Sequence, residues 1–120
     1  MSVRAIRGAT QVEANSPQAI AAGVKELLTE ILQGNGLTPS DFISVLFTAS
    51  PDLDAAFPAG FAREVGFQSV PLICAVEIDV PGALERTIRL MAHVESDLSV
   101  AQISHIYLHG AKALRRDIAQ

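Results

Sequence analysis

Apolar residues repeat at helical spacing in one long segment near the N-terminus. Ser16 is a residue type that caps helix N-termini, and Pro17 suits the first helical turn. The residues that form the apolar stripe are Ile20, Val24, Leu27, Leu28, Ile31 and Leu32. Gly34 and the Asn35-Gly36 pair follow this stripe, and residues of these types end helices. The pattern predicts an amphipathic helix that begins at Pro17 and buries one face.

Five other segments have the length and the apolar content of β-strands. They are residues 3–12, 41–50, 70–77, 87–96 and 103–110. The fourth of them alternates strictly between two kinds of residue, as expected of a strand that has one buried face. Its apolar positions are Ile88, Leu90, Ala92 and Val94, and the positions between them are Arg89, Met91, His93 and Glu95.

Shorter signals fill the gaps between these segments. Pro58 can open a second, short helix that Gly66 closes. Pro81-Gly82 marks a turn, and residues 99–102 have the spacing of a capping box. The predicted order is β-α-β-α-β-β-β, which favours an α/β fold with a mixed sheet and helices on one face. The opposite face would stay apolar or mixed, and a symmetric oligomer could bury it.

The length and the composition indicate one small domain that gains from association. A chain of 120 residues has the length of a single domain, so residues 1–120 are expected to form one. Residues from about 112 to 120 are expected to be a partly flexible C-terminal tail. Apolar residues make up 49% of the chain and the mean hydropathy is +0.32. A domain this small has more apolar surface than a monomer readily covers, which favours an oligomer.

Charge and cysteine content exclude several classes of protein. The net charge of −4 argues against a nucleic-acid partner, because such proteins present basic surfaces to phosphate. The apolar segments are shorter than a membrane span, and the N-terminal residues lack the apolar region of a signal peptide. Cys74 is the single cysteine, which excludes an internal disulfide and fits a reducing compartment. We therefore expect a cytoplasmic protein with no membrane partner.

Motifs for cofactor, metal and nucleophile chemistry are absent from the sequence. It contains no glycine-rich nucleotide loop and no G-x-S-x-G nucleophile elbow. His93, His105 and His109 lack the spacing of a metal site, and exposed or hydrogen-bonded histidines explain them better. Cys74 lies in an apolar segment, where a cysteine is more often a core residue than a nucleophile. No cofactor and no metal are expected.

Arginine dominates the basic residues and suggests an anionic ligand. Seven of the nine basic residues are arginine, whose planar fork grips carboxylates and stays charged when desolvated. Glu77 and Arg89 occupy positions in strand-like segments where apolar residues are usual, and a cross-strand ion pair is the simplest explanation. Arg7, Arg63 and Tyr107 add further groups with no second acid to match them. A small anion would supply the missing negative charge.

Five separated blocks of the sequence resemble the monofunctional chorismate mutases of the AroH class. The blocks are RAIRGAT, TASPDLDAAFPAGFARE, VPLICAVEIDVPGAL, IRLMAHVESD and HIYLHGAKALRRD. They keep the order and the spacing of that family from about Arg4 to Asp117. The resemblance implies a homotrimer with a pseudo-α/β-barrel core and three active sites at subunit interfaces. It also implies the rearrangement of chorismate to prephenate, on the route to phenylalanine and tyrosine.

The resemblance also implies roles for individual residues. Arg7 and Tyr107 match the arginine and tyrosine that bind the substrate carboxylates. Cys74 and Glu77 match the pair that contacts the ring hydroxyl, and Arg89 matches the arginine that reaches the ether oxygen. The catalytic set is therefore expected to be Arg89, Glu77 and Cys74.

Further positions are expected to contact the substrate. Two other positions depart from the pattern of the family. The further contacts are Phe57, Ala59 and Arg63 from the neighbouring subunit, the wall residues Leu72 and Ile73, and Leu114 and Arg115 in the tail that covers the site. Gly60 stands where the family often has lysine, so one cation at the rim is missing. Arg116 replaces a common proline, which leaves the tail less stiff.

The chemistry of this rearrangement fits what the sequence lacks. One C–O bond breaks while one C–C bond forms, and the step needs no nucleophile, proton transfer or metal. An enzyme must hold the dianion in a compact shape and stabilise the charge that separates. Two other interpretations remain: a trimeric sensor that binds an aromatic-pathway anion, and a Rid-type imine deaminase. The N-terminal Ser/Gln segment of the deaminases is not found, and turnover of chorismate would separate the enzyme from the sensor.

Overall fold

Five strands form one mixed sheet in the computed structural model, which describes residues 1–114. The strands are β1 (Ser2–Gln11), β2 (Phe42–Ala49), β3 (Leu72–Val76), β4 (Thr87–Ser96) and β5 (Ile106–Leu108). Their order in the sheet is β3-β2-β4-β1-β5. β4 runs antiparallel to β1 and β2, while β3 is parallel to β2 and β5 is parallel to β1. The central position of β4 brings both halves of the chain together.

The alternation predicted for the central strand is confirmed. Ile88, Ala92 and Val94 are fully buried, and Leu90 is nearly so. They share the hydrophobic core with the apolar stripe of the long helix. The side chains between them are half-buried or exposed on the opposite face. Because side chains alternate along a strand, one face of β4 packs in the core and the other face can carry polar side chains.

Two helices cover the core face of the sheet, as predicted. They are α1 (Pro17–Asn35) and α2 (Pro58–Arg63). Ser16 Oγ accepts a hydrogen bond from the backbone N–H of Ala19 at 3.1 Å, and Gly36 ends α1 in the left-handed conformation at φ 62°. A Cβ on Gly23 would lie 2.5 Å from Val12 Cγ1, so a glycine is needed where α1 passes over the end of β1. The predicted fold class, α/β with a mixed sheet and helices on one face, is confirmed.

The last strand is shorter than the pattern predicts, because the residues just before and just after it in the sequence form other contacts. The Asn35 side chain donates to the Ser104 carbonyl at 3.0 Å and accepts from the Ser104 backbone N–H at 2.8 Å. After β5 a 3-10 helix, His109–Ala113, begins at a residue with φ 53°. These contacts leave three residues for pairing with β1. Of the expected tail, residues 112–113 belong to this 3-10 helix, and residues 115–120 lie outside the described part.

The face of the sheet opposite the helices carries exposed apolar side chains. Val3, Leu46 and Ile73 are 57%, 41% and 64% exposed. Beside them, Tyr107 packs with Ala9 and its neighbours in a small second cluster. Neither α1 nor α2 has the length and apolarity that a membrane-crossing helix needs. An exposed apolar face on a small domain is typical of a surface that another protein chain covers.

Candidate active site

A cleft on the open face of the sheet is lined by polar groups from four strands and from the residue that follows β3. Its volume is about 170 Å³. Its lining residues include Arg7 from β1, Thr48 from β2, Glu77 just after β3, Arg89 from β4 and Tyr107 from β5. The register explains the assembly, because Ala9 lies opposite Arg89 on one side and beside Tyr107 on the other. Residues that are 100 positions apart in sequence are thereby brought into one site.

Glu77 and Arg89 face this cleft without a hydrogen bond between them. Arg89 Nε lies 3.8 Å from Glu77 Oε2, which is beyond hydrogen-bonding distance. About a third of each side chain is exposed. Arg89 Nε itself is buried and has no hydrogen-bond partner among the described residues. A buried guanidinium donor without a hydrogen-bond partner is rare in folded proteins, which makes Arg89 a candidate for binding an anionic ligand.

The Glu77 carboxylate is held by a different strand. Thr48 Oγ1 donates a hydrogen bond of 2.6 Å to Glu77 Oε2. The Glu77 backbone N–H donates to the Ala49 carbonyl at 2.8 Å and so extends the β2–β3 ladder past Val76. Both contacts come from β2, which lies between β3, the strand that ends just before Glu77, and β4, the strand that carries Arg89. Sequence reasoning missed Thr48, although its place between two core positions of β2 put it on the polar face.

A histidine is hydrogen-bonded to the backbone of Arg7, on the β1 side of the cleft. The backbone N–H of Arg7 donates to His105 Nδ1 at 3.0 Å. Burial lowers the pKa of His105, because a low-dielectric environment disfavours the charged imidazolium. The neutral ring can therefore act as the acceptor that ties β1 to the segment before β5. The contact fixes the relative positions of Arg7 and Tyr107, and the interpretation of His105 as hydrogen-bonded is confirmed.

Cys74 lies on the opposite face of its strand from Glu77. Its Sγ accepts a hydrogen bond of 3.4 Å from the Ala59 backbone N–H, and it packs against the core. Cys74 and Phe57 line a second concavity of about 530 Å³. Positions 74 and 77 are three apart, and a strand turns such positions to opposite faces. Within one chain, Cys74 and Glu77 do not line the same cleft.

The other expected contact residues also lie outside the cleft that Arg7, Thr48, Glu77, Arg89 and Tyr107 line, called the Arg89 cleft below. Phe57 is 79% exposed, and Arg63 is exposed in the last turn of α2. Leu72 and Ile73 line a third concavity, together with Met91. The remaining members of the expected set are Ala59, which is buried, Leu114, which packs against the Tyr107 cluster, and Arg115, which lies outside the described residues. A Cβ on Gly60 would meet nothing within 4 Å.

A network that the sequence did not reveal holds the loop beside the cleft. The loop from Glu77 to Arg86 borders a concavity of about 600 Å³ that shares Glu77 and Arg89 with the cleft. At its end Arg86 adopts φ 48°, and its backbone N–H donates to Asp52 Oδ2 at 2.9 Å. The Ser50 hydroxyl donates to the other oxygen of Asp52 and accepts from the Thr87 backbone N–H. The carboxylate thus fixes the point where the loop enters β4.

The charge state of Asp52 makes this anchor dependent on pH. Burial opposes its ionisation, but the hydrogen bonds from Ser50 and Arg86 outweigh it and hold the pKa of Asp52 below its ordinary value of 3.8. Stability from such a group is present above the unfolded-state pKa and is lost as the pH falls through the folded-state pKa.

We therefore expect Asp52→Asn to lower the urea midpoint at neutral pH. The difference from the wild type should shrink below about pH 4, where the wild-type carboxylate is progressively protonated. Urea unfolding at fixed protein concentration, followed by circular dichroism from neutral to strongly acidic pH, measures this difference. A difference of the same size at every pH would mean that Asp52 acts without its charge.

Among residues 1–114, no three histidine, cysteine, aspartate or glutamate side chains come close enough together to hold a metal ion.

Comparison with known proteins identifies close relatives along the whole chain. Residues 3–118 match the family described as chorismate mutase type I. The chain is 42% identical to the chorismate mutase AroH of Bacillus subtilis (strain 168), over 99% of this chain and 94% of the relative. It is 43% identical to the chorismate mutase AroH of Thermus thermophilus, over 97% and 96% of the two chains.

A solved structure agrees with these sequence comparisons. The fold matches a chorismate mutase from Clostridium thermocellum with a TM-score of 0.90 and 51% sequence identity. The match covers 92% of this chain and 98% of the solved chain.

Proposed function

The chain belongs to the type I chorismate mutase family and is a chorismate mutase of aromatic amino acid biosynthesis; we propose that its active site is the Arg89 cleft, completed by a neighbouring subunit. The observation that carries the proposal is that Arg89 Nε is buried and has no hydrogen-bond partner among residues 1–114, while the Glu77 carboxylate 3.8 Å away is hydrogen-bonded to Thr48. The two side chains are within ion-pair distance but are not joined by a hydrogen bond. An anionic substrate could therefore be accepted by the Arg89 guanidinium without first breaking a hydrogen bond to Glu77.

The geometry suits both tasks of the rearrangement of chorismate to prephenate. Chorismate carries two carboxylates, an ether oxygen and a ring hydroxyl. Arg7 and Tyr107 are proposed to bind the carboxylates and to hold the side chain folded over the ring, so that the two carbons that bond lie close together. No proton needs to move and no covalent intermediate forms. The residues act by position and by charge.

Charge separation in the transition state is where Arg89 and Glu77 are proposed to contribute. As the C–O bond breaks, negative charge grows on the ether oxygen and positive charge grows on the ring. Arg89 interacts more strongly with the oxygen as that charge develops, and Glu77 stabilises the ring and accepts a hydrogen bond from its hydroxyl. Because both interactions strengthen only on the way to the transition state, they lower the barrier rather than only binding the substrate.

The active site is proposed to lie between subunits of a homotrimer. The Arg89 cleft and the Cys74 concavity belong to different surfaces of one chain, yet residues of both surfaces are expected to contact one substrate. Phe57 and Arg63 are exposed and have no role in the single chain's core. The exposed apolar face of the sheet offers the area that an oligomer would bury. In this arrangement Cys74, Ala59, Arg63 and Phe57 of one subunit meet Glu77 and Arg89 of another.

The other expected positions complete this proposal. Leu72 and Ile73 are proposed to form part of the wall, and Leu114 and Arg115 to cover the pocket from the C-terminal side. The protein is proposed to act in the cytoplasm, as a single domain of residues 1–120 without a cofactor, a metal or a nucleic-acid partner.

The direct test is turnover of chorismate by the purified protein. We expect the chorismate absorbance to disappear at a rate that saturates with substrate, with prephenate as the product, and without added metal or cofactor. Preparing the protein in a chelating buffer should leave the rate unchanged. If chorismate bound without being converted, the protein would be a sensor, and an imine substrate consumed in its place would indicate a deaminase.

A further inference from the structure

We infer that Thr48 is a positioning residue for this reaction, whose hydroxyl keeps the Glu77 carboxylate away from Arg89. The inference rests on the proposed function of the cleft and concerns how the cleft stays open before the substrate binds. Thr48 touches Glu77 and lines the same cleft. It acts through Glu77 and has no chemical task of its own.

The strand order places Thr48 between Glu77 and Arg89 in the cleft. β2 lies between β3 and β4, and Thr48 pairs with Ala75 on one side and with Arg89 on the other. Its side chain therefore stands in the row between the acid and the base. A carboxylate can only accept, so the 2.6 Å contact is a charge-assisted hydrogen bond donated by the hydroxyl. Its short length is typical of the stronger class of hydrogen bond.

One oxygen of the Glu77 carboxylate lies near two groups that can donate a hydrogen bond. Glu77 Oε2 accepts from Thr48, and that oxygen also lies 3.8 Å from Arg89 Nε. A glutamate and an arginine at this distance can close into a tight pair by a small side-chain rotation. Such a pair would occupy the guanidinium donors and neutralise both groups. The Thr48 hydroxyl opposes that rotation, and it keeps Glu77 Oε1 and the Arg89 guanidinium out of such a closed pair.

Substitution of Thr48 separates the role of its hydroxyl from the role of its shape. Thr48→Val keeps the β-branched shape and removes the donor, while Thr48→Ser keeps the donor. We expect Thr48→Val to lower kcat by roughly tenfold or more, the order that one hydrogen bond to a charged group sustains. KM should change less than kcat, because the arrangement matters most when charge separates. Thr48→Ser should stay within about threefold of the wild-type kcat.

A double variant tests whether Thr48 acts through Glu77. In a Glu77→Gln background the carboxylate that Thr48 orients is gone, so adding Thr48→Val should cause little further loss of kcat. The matched control is Thr29→Val. Thr29 donates to the Lys25 carbonyl on the exposed side of α1, so the same chemical change there should leave kcat and KM at the wild-type values.

Three results would overturn the inference while leaving the proposed function intact. They are a wild-type kcat for Thr48→Val beside an impaired Glu77→Gln, an equal loss in Thr48→Ser and Thr48→Val, and a loss that is additive in the double variant. A wild-type protein that does not convert chorismate would instead refute the proposed function itself. Thermal unfolding of each variant should give a midpoint near that of the wild type, since Thr48 is half-buried on the open face and not in the core.

Discussion

Replacement of Arg89 by lysine is expected to lower kcat by roughly 100- to 1,000-fold, the cost of removing one preorganised donor to a developing oxyanion. Lysine keeps the positive charge but loses the planar fork and its fixed Nε–H. That Nε is buried and has no hydrogen-bond partner among the described residues, and the Arg89 side chain lines the cleft. An ammonium on a flexible stem cannot hold the same position without reorganising as the reaction proceeds.

The expected loss lies in kcat rather than in folding. Arg89 sits on the open face of β4 and is half-buried, so its replacement creates no cavity in the core. Circular dichroism and size-exclusion chromatography should match the wild type, and steady-state kinetics should place most of the effect in kcat.

A matched substitution controls for the change from arginine to lysine as such. Arg4 donates from its Nε to the Leu98 carbonyl at 2.9 Å and does not line the cleft. Arg4→Lys should therefore retain normal turnover. If Arg89→Lys were also to retain a kcat within a few-fold of the wild type, Arg89 would not be the group that stabilises the ether oxygen.

Mixing two inactive variants is expected to restore activity if the sites are shared between subunits. Arg89→Lys damages the cleft surface, and Arg63→Glu places a repelling charge on the α2 surface that is proposed to face the substrate from the neighbouring chain. Each variant alone has no intact site. When subunits assemble at random from an equal mixture, a site receives an intact cleft surface with a chance of one half and an intact α2 surface likewise. Activity should then reach about a quarter of the wild-type value.

The exchange has to be carried out so that subunits redistribute. Co-expression, or joint unfolding and refolding of equal amounts, followed by the chorismate assay at fixed total protein, measures the recovery. As a control, Arg89→Lys mixed with Glu77→Gln should recover nothing, because both changes damage the same surface of the chain. Recovery in that control, or activity in the first mixture no higher than the mean of its parents, would refute sites shared in this way.

Secondary structure was readable from the sequence wherever periodicity is set by one buried face. α1 and β4 follow this rule, and the bounds of β4 agree with the predicted segment, residues 87–96. Short elements were less well predicted. β5 has three residues instead of eight, because the Asn35 side chain in α1 forms hydrogen bonds with the backbone C=O and N–H of Ser104. A contact between residues 69 positions apart leaves no local trace in the sequence.

The candidate site was predictable as a set of residue types but not as an arrangement. Strand alternation alone assigns Cys74 and Glu77 to opposite faces, yet the resemblance to a family groups them by a shared substrate. Only the packed chain separates the cleft with Glu77 from the concavity with Cys74. The expected contact residues therefore lie on two surfaces of one chain. Variants that damage one surface at a time can test whether two subunits share a site.

Residue order alone was sufficient to predict the fold class, the apolar faces of α1 and β4, the excess of arginine and, through five blocks that keep the order and spacing of the family, the family itself. These properties follow from local periodicity and from residue chemistry, which do not depend on distant neighbours. The spatial relation between Glu77 and Arg89 became visible only in the folded chain. Their side chains lie at ion-pair distance, 3.8 Å, without a hydrogen bond, and Thr48 on the intervening strand donates to the carboxylate. Strand register and side-chain rotamers set that relation, and both depend on which strands become neighbours.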